Sequence, residues 1–121
     1  MKTRHAQLTP YITRDGTEIR EMMHPAVHGE FGARHQSLAE ARLPAGARSL
    51  PHRHARSEEI YHITAGHGRM MLAGDWFDIA PGDTVVIPPG TEHGLDNTGD
   101  ATLVVLCACS PPYHHDDTEL L

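Results

Sequence analysis

Apolar positions along this chain fall in short runs, not in extended stretches. SLAEARL (37–43), EIYHIT (59–64), RMML (69–72), WFDI (76–79), TVVI (84–87) and TLVVLCAC (102–109) each have strand character. No window holds an extended 3.6-residue apolar period, so no long helix is expected. Between the runs lie turn signals that combine Gly with Pro, Asn or Asp: AGHG (65–68), AGD (73–75), APGD (80–83), PPGT (88–91) and NTGD (97–100). Short strands at close spacing with such turns predict an all-β sandwich or barrel. The first 35 residues are less regular: TEIREMM (17–23) is a candidate edge strand and HPAVHGEFGARH (24–35) reads as a loop. One domain is expected, with an irregular N-terminal segment at 1–35, a barrel at 36–110 and a tail at 111–121 that leaves the core for the surface or a neighbour.

The stretch LPHRHARSEEIYHITAG (50–66) breaks the apolar pattern with three histidines and two adjacent glutamates. Side chains two apart in a strand share a face, so His52 and His54 point the same way and can both reach a cation. The alternation that follows puts Glu59 with Tyr61 and Ile63, and Glu58 with Ile60 and His62. A barrel interior accepts Tyr and Ile more readily than a second histidine, so Glu59 is expected inward and Glu58 outward. Ile60 then faces out and becomes a candidate subunit contact. Further on, GDTVVIPPGTEHGLDN (82–97) runs a buried-looking strand into a Pro-Pro-Gly turn that delivers His93 at the start of the next strand.

Bulk properties narrow the partners. The net charge of −6 and the absence of any Lys/Arg cluster argue against nucleic acid. No apolar run approaches the roughly 20 residues of a membrane span, and no signal peptide is legible, so the expected location is the cytoplasm. Cys107 and Cys109 share one strand face at a separation of about 6.5–7 Å, too far for a disulfide, and read as buried thiols. Eleven histidines in 121 residues are an excess that position must explain. His62 and His67 are expected away from the ligands, His24, His28 and His35 in the irregular segment, and His114, His115, Asp116 and Asp117 in a solvated tail.

Gly46, His52, His54, Glu59 and Gly66 match G(X)5HXH(X)3–4E(X)6G, and Gly82, Pro88, Gly90, His93 and Asn97 match G(X)5PXG(X)2H(X)3N without a departure. On these ten positions the chain resembles the cupin superfamily. Its ends (EIREMMHP and CSPPYHHDDTEL) are similar to small single-domain cupins labelled mannose-6-phosphate isomerase-like, a label that carries no activity with it. The resemblance implies a jelly-roll β-barrel (double-stranded β-helix), commonly a homodimer. It also implies one divalent transition metal (Mn, Fe, Ni, Co, Cu or Zn) on His52, His54, Glu59 and His93. The function expected is a metal-dependent enzyme acting on a small polar or anionic molecule. A dioxygenase-type oxidoreductase stands ahead of a sugar isomerase or epimerase, a decarboxylase and a lyase. The alternative is a non-catalytic module that binds a small molecule or the metal alone. Tyr61 is the candidate for orienting a substrate, with core packing as its other reading.

Strand alternation alone makes one prediction. His54→Ala loses stoichiometric metal by elemental analysis and His62→Ala keeps it; the reverse outcome would overturn the facing assigned to this stretch.

Overall fold

The computed structural model describes residues 1–121. It contains eleven strands: β1 (Tyr11–Ile12), β2 (Glu18–Met23), β3 (Ser37–Leu43), β4 (His52–His54), β5 (Glu58–Ala65), β6 (Gly68–Leu72), β7 (Asp75–Ile79), β8 (Thr84–Ile87), β9 (His93–Asp96), β10 (Leu103–Ser110) and β11 (Thr118–Leu120). One sheet has the order β1-β2-β3-β10-β5-β8 and the other β11-β4-β9-β6-β7. Every pairing is antiparallel. The sheets face each other in the jelly-roll barrel that the strand pattern and the resemblance implied. No helix is long and apolar enough to cross a membrane.

Side-chain size on the inner face decides where this barrel is filled and where it is open. β3 alternates strictly, with Ser37, Ala39, Ala41 and Leu43 inward. Its neighbour β10 places Cys109 opposite Ser37, Cys107 opposite Ala39 and Leu103 opposite Leu43. At the Leu43–Leu103 end large residues meet, and Ile63, Met70 and Ile79 from both sheets close the core around them. At the other end Ser, Ala and Cys face one another, and the volume they leave is a cavity. Both thiols are free and buried, as expected.

The two chain ends differ from the sequence expectation. The candidate strand at 17–23 is β2, but it lies inside the sheet between β3 and β1, which forms the edge. Within the expected loop at 24–35 the chain makes one helical turn, Pro25–His28, capped by His24 Nδ1 accepting from Ala26 N–H. The tail does not leave the core: β11 pairs with β4, Thr118 opposite His54 and Leu120 opposite His52. Asp117 is likewise not solvated. It is buried, and its carboxylate accepts from the Arg56 and Ser57 backbone N–H groups at 3.0 and 3.1 Å. Two backbone donors replace the lost water, which lets a carboxylate sit there. His114, His115 and Asp116 are exposed, as expected.

Two motif residues far from the cavity hold the turns. Asn97 is buried, and its amide donates to Leu43 O at 2.9 Å and Ala101 O at 2.8 Å while its oxygen accepts from Gly99 N–H. Gly66 has φ +81°, and a Cβ there would lie 2.5 Å from Thr102 O. Strain and collision therefore act together at that position. Gly66→Ala is expected to lower unfolding free energy by about 2–4 kcal/mol in denaturant titration; wild-type stability would contradict this role.

Candidate metal centre

β4 is three residues long, and its alternation sends His52 and His54 inward while Arg53 turns out to pair with Glu119. His93 opens β9 directly opposite His52 in register. Three imidazoles of one sheet thus converge, with ring centroids 4.2, 5.2 and 5.4 Å apart. One nitrogen from each lies within 4.8 Å of the others. Glu59 arrives from β5 of the opposite sheet, with Oε1 3.2 Å from His54 Nε2 and 3.4 Å from His93 Nε2. Tyr61, two residues on, is buried edge-on to the His93 ring.

Outer partners set the protonation of these rings. His52 Nδ1 donates to Leu50 O and His93 Nδ1 donates to Thr91 O, both at 2.9 Å. A carbonyl can only accept, so each Nδ1 carries its proton and a neutral ring offers its Nε2 lone pair to the centre. His54 Nδ1 is bonded to the Thr118 hydroxyl at 3.0 Å, which ties this ring to β11. The Glu59 carboxylate is steadied on its other oxygen, where Cys109 Sγ donates at 3.1 Å.

Glu59 Oε1 and His93 Nε2 are buried without any hydrogen-bond partner. They face each other as two lone pairs, and leaving such groups unsatisfied costs about 1–3 kcal/mol each. A cation between them removes the conflict, and imidazole with carboxylate is a donor set that suits a metal ion. Burial pushes the Glu59 carboxyl up; hydrogen bonds and positive charge from the His54 and His93 imidazoles would outweigh it and bring the group to about 2, a role that passes to a cation when the rings turn neutral lone pairs inward. Burial pulls His52 below the ordinary imidazole value. His93 and His54 add to that, while Asp15 and the Leu50 carbonyl oppose it. The carboxylate is thus charged and this imidazole neutral near pH 7, the states that ligation requires.

A cavity of ≈ 590 Å³, counted out to its mouth, opens above these groups. His52, His54, Glu59 and Tyr61 line it at the site, and Tyr11, Asp15, Glu21 and Tyr113 line its walls. The last four were not singled out in the sequence. Asp15 stands 3.4 Å from His52 Nδ1, with its own carboxylate held by the Thr13 hydroxyl and the Thr17 N–H. The pattern TEIREMM carried a signal for Glu21, because Thr17, Ile19 and Glu21 share one face, and all three line the cavity.

The remaining histidines lie elsewhere. His62 is on the outer face, bonded to Thr84 Oγ1 at 2.7 Å, and His67 is exposed. His24 is buried and its Nε2–H donates to Tyr113 O, so it clamps the C-terminal segment. His28 accepts from the His24 N–H, and His35 is exposed.

Comparison with known proteins places this architecture. The chain is 47% identical over 121 residues to an uncharacterized protein of Methanocaldococcus jannaschii, covering all of this chain and 94% of that one. It is 29% identical over 109 residues to an oxalate-binding protein of Thermotoga maritima, covering 88% of this chain and 90% of the relative. A crystal structure described as a predicted oxalate decarboxylase from Thermotoga maritima superposes with a TM-score of 0.78 at 26% identity, covering 92% of this chain and 99% of that one. The cupin-domain model matches residues 39–109, which run from β3 to β10 and include the three histidines and Glu59. Match, fold and site agree: this chain belongs to the cupin-domain family.

Proposed function

We propose that His52, His54, His93 and Glu59 hold one divalent transition metal, and that the protein is a metal-dependent enzyme acting on a small polar molecule in the cavity above them. The observation that carries this reading is the pair of orphaned atoms, Glu59 Oε1 and His93 Nε2, among rings whose outer nitrogens are already bonded. The ion would supply Lewis-acid polarisation of a ligand oxygen. Leu50 O, Thr91 O and the Thr118 hydroxyl hold the three rings, and Cys109 holds the carboxylate. Tyr61, buried beside His93, orients the bound molecule from the floor of the cavity.

Among the reactions expected from the sequence, decarboxylase, lyase and isomerase chemistry draws more support than a dioxygenase-type oxidoreductase. Those classes move a proton at the substrate, and the cavity walls carry two carboxyls besides Glu59, those of Asp15 and Glu21. The relatives described by oxalate support a small, oxygen-rich ligand. The same reading takes the protein as a cytoplasmic homodimer. Ile60 and Val86, paired in register and 41% and 54% exposed on the outer face of β5 and β8, are the apolar surface a second copy would cover.

Purified protein should carry close to one transition metal per chain by elemental analysis, and His93→Ala should carry almost none. A metal-free, fully folded wild type would sink the reading. Burial and the neighbouring rings favour neutral His52, so protons compete for that ligand only below the ordinary imidazole range. Metal release is expected as pH falls through about 5–6; retention far below that would contradict a three-histidine site. Turnover lost on chelation and restored by one metal would separate the enzyme from a non-catalytic binding module.

A further inference from the structure

The cavity holds one carboxyl that neither the metal site nor the fold uses. Glu21 sits on β2 opposite Ala39, whose methyl leaves the space in front of it open. The residue is 7% exposed. Asp15 and Asp117 are both satisfied by backbone N–H groups, whereas the Glu21 carboxyl has no protein donor. A buried acid without a partner, turned into a cavity beside a metal site, awaits a donor from the occupant.

The charge of the walls says what kind of occupant. Neither lysine nor arginine lines the cavity; His52 and His54 are its only basic side chains. A divalent ion with Glu59 leaves one positive charge. Asp15 cancels it before Glu21 is counted. A phosphate or a dicarboxylate would therefore enter a field already neutral or negative, with no lysine or arginine to receive it.

We propose that Glu21 is the ligand-contacting acceptor of this cavity and that it selects a neutral, hydroxyl-bearing small molecule over an anionic one. This rests on the metal-site reading and narrows its substrate class to neutral molecules, which keeps lyase and isomerase chemistry and sets aside a decarboxylase acting on an anion. Glu21 accepts the hydrogen bond of a ligand hydroxyl and, in turnover, its proton. The ligand O–H bond breaks, its electron pair stays on the ligand oxygen, and the proton forms a new O–H bond on the carboxylate. Desolvation raises the Glu21 carboxyl and nearby His24 opposes this in part, which moves the group toward working pH. Tyr11 from β1, Cys107 and Cys109 from β10 and Tyr113 from the C-terminal segment share its field, and burial holds all four in their neutral forms.

The test uses the full chain as purified, its metal content read alongside, with catechol as the neutral probe and oxalate as the anionic one. Wild type is expected to bind catechol more tightly than oxalate by calorimetry. Glu21→Gln should weaken catechol roughly tenfold, the scale of one hydrogen bond to a charged group, and leave oxalate unchanged or tighter. Glu21→Asp, which keeps the charge, should retain the preference for catechol and guards against a variant that fails to fold. Weakening confined to catechol is what a merely structural role would not produce. Equal weakening of both probes, unchanged catechol affinity, or a wild type that prefers oxalate or binds no catechol would overturn the proposal, whatever the metal content. Metal absent from wild type would instead sink the metal-site reading alone.

Discussion

Two backbone carbonyls, Leu50 O and Thr91 O, decide which nitrogen of His52 and of His93 carries the proton. Everything at the centre of the barrel follows from that placement. With the protons held outward, lone pairs point inward, and the Glu59 carboxylate meets them from the opposite sheet. Lone pair against lone pair in a dry interior is repulsive, so the arrangement makes sense only around a positive charge. The fold supplies the two sheets; the hydrogen bonds on their outer side give the cleft between them its chemical sign. Thr118 holds the outer nitrogen of His54 in the same way, and on the other sheet Cys109 donates to the second oxygen of Glu59.

The second determinant is a gradient of side-chain volume. Along β3 and β10 the inner face passes from Leu43 and Leu103, through Ala41 and Val105, to Ala39, Cys107, Ser37 and Cys109. The large end gives the barrel its hydrophobic core. The small end gives room for a ligand without any loop having to open. Polar groups line that room because it is not filled: Tyr11, Asp15 and Glu21 come from the N-terminal strands and Tyr113 from the C-terminal segment. Both chain ends, the least regular parts of the sequence, thereby build the walls of the cavity.

This explains what could be read from the sequence and what could not. Alternation within one strand is local, so Glu59, Tyr61 and Ile63 were legible as inward, and Glu58 and Ile60 as outward, from EEIYHI alone. His93 was legible because its turn repeats a motif spacing. Contacts set by tertiary pairing left no such trace. β11 is three residues long behind two prolines, and its place beside β4 depends on a pairing 64 residues away in the chain. The burial of Asp117 follows from that same pairing, and no local pattern marks a carboxylate whose donors are the Arg56 and Ser57 backbones. Glu21 shares its alternation face with Thr17 and Ile19, but a single acid in a mixed strand gains meaning only once its face is known to be inside. Family membership fixes the architecture and leaves the chemistry to these walls.

The central claim is that the inward lone pairs of three imidazoles and one carboxylate enclose a cation. The most direct measurement is a crystal structure of the protein as purified, with anomalous scattering recorded at the edge of the metal found in it. One anomalous peak per chain is expected between the sheets, about 2.0–2.2 Å from Nε2 of His52, His54 and His93 and from a Glu59 oxygen. A peak elsewhere, such as on exposed His114 and Asp116, with the central atoms bridged only by water, would contradict it.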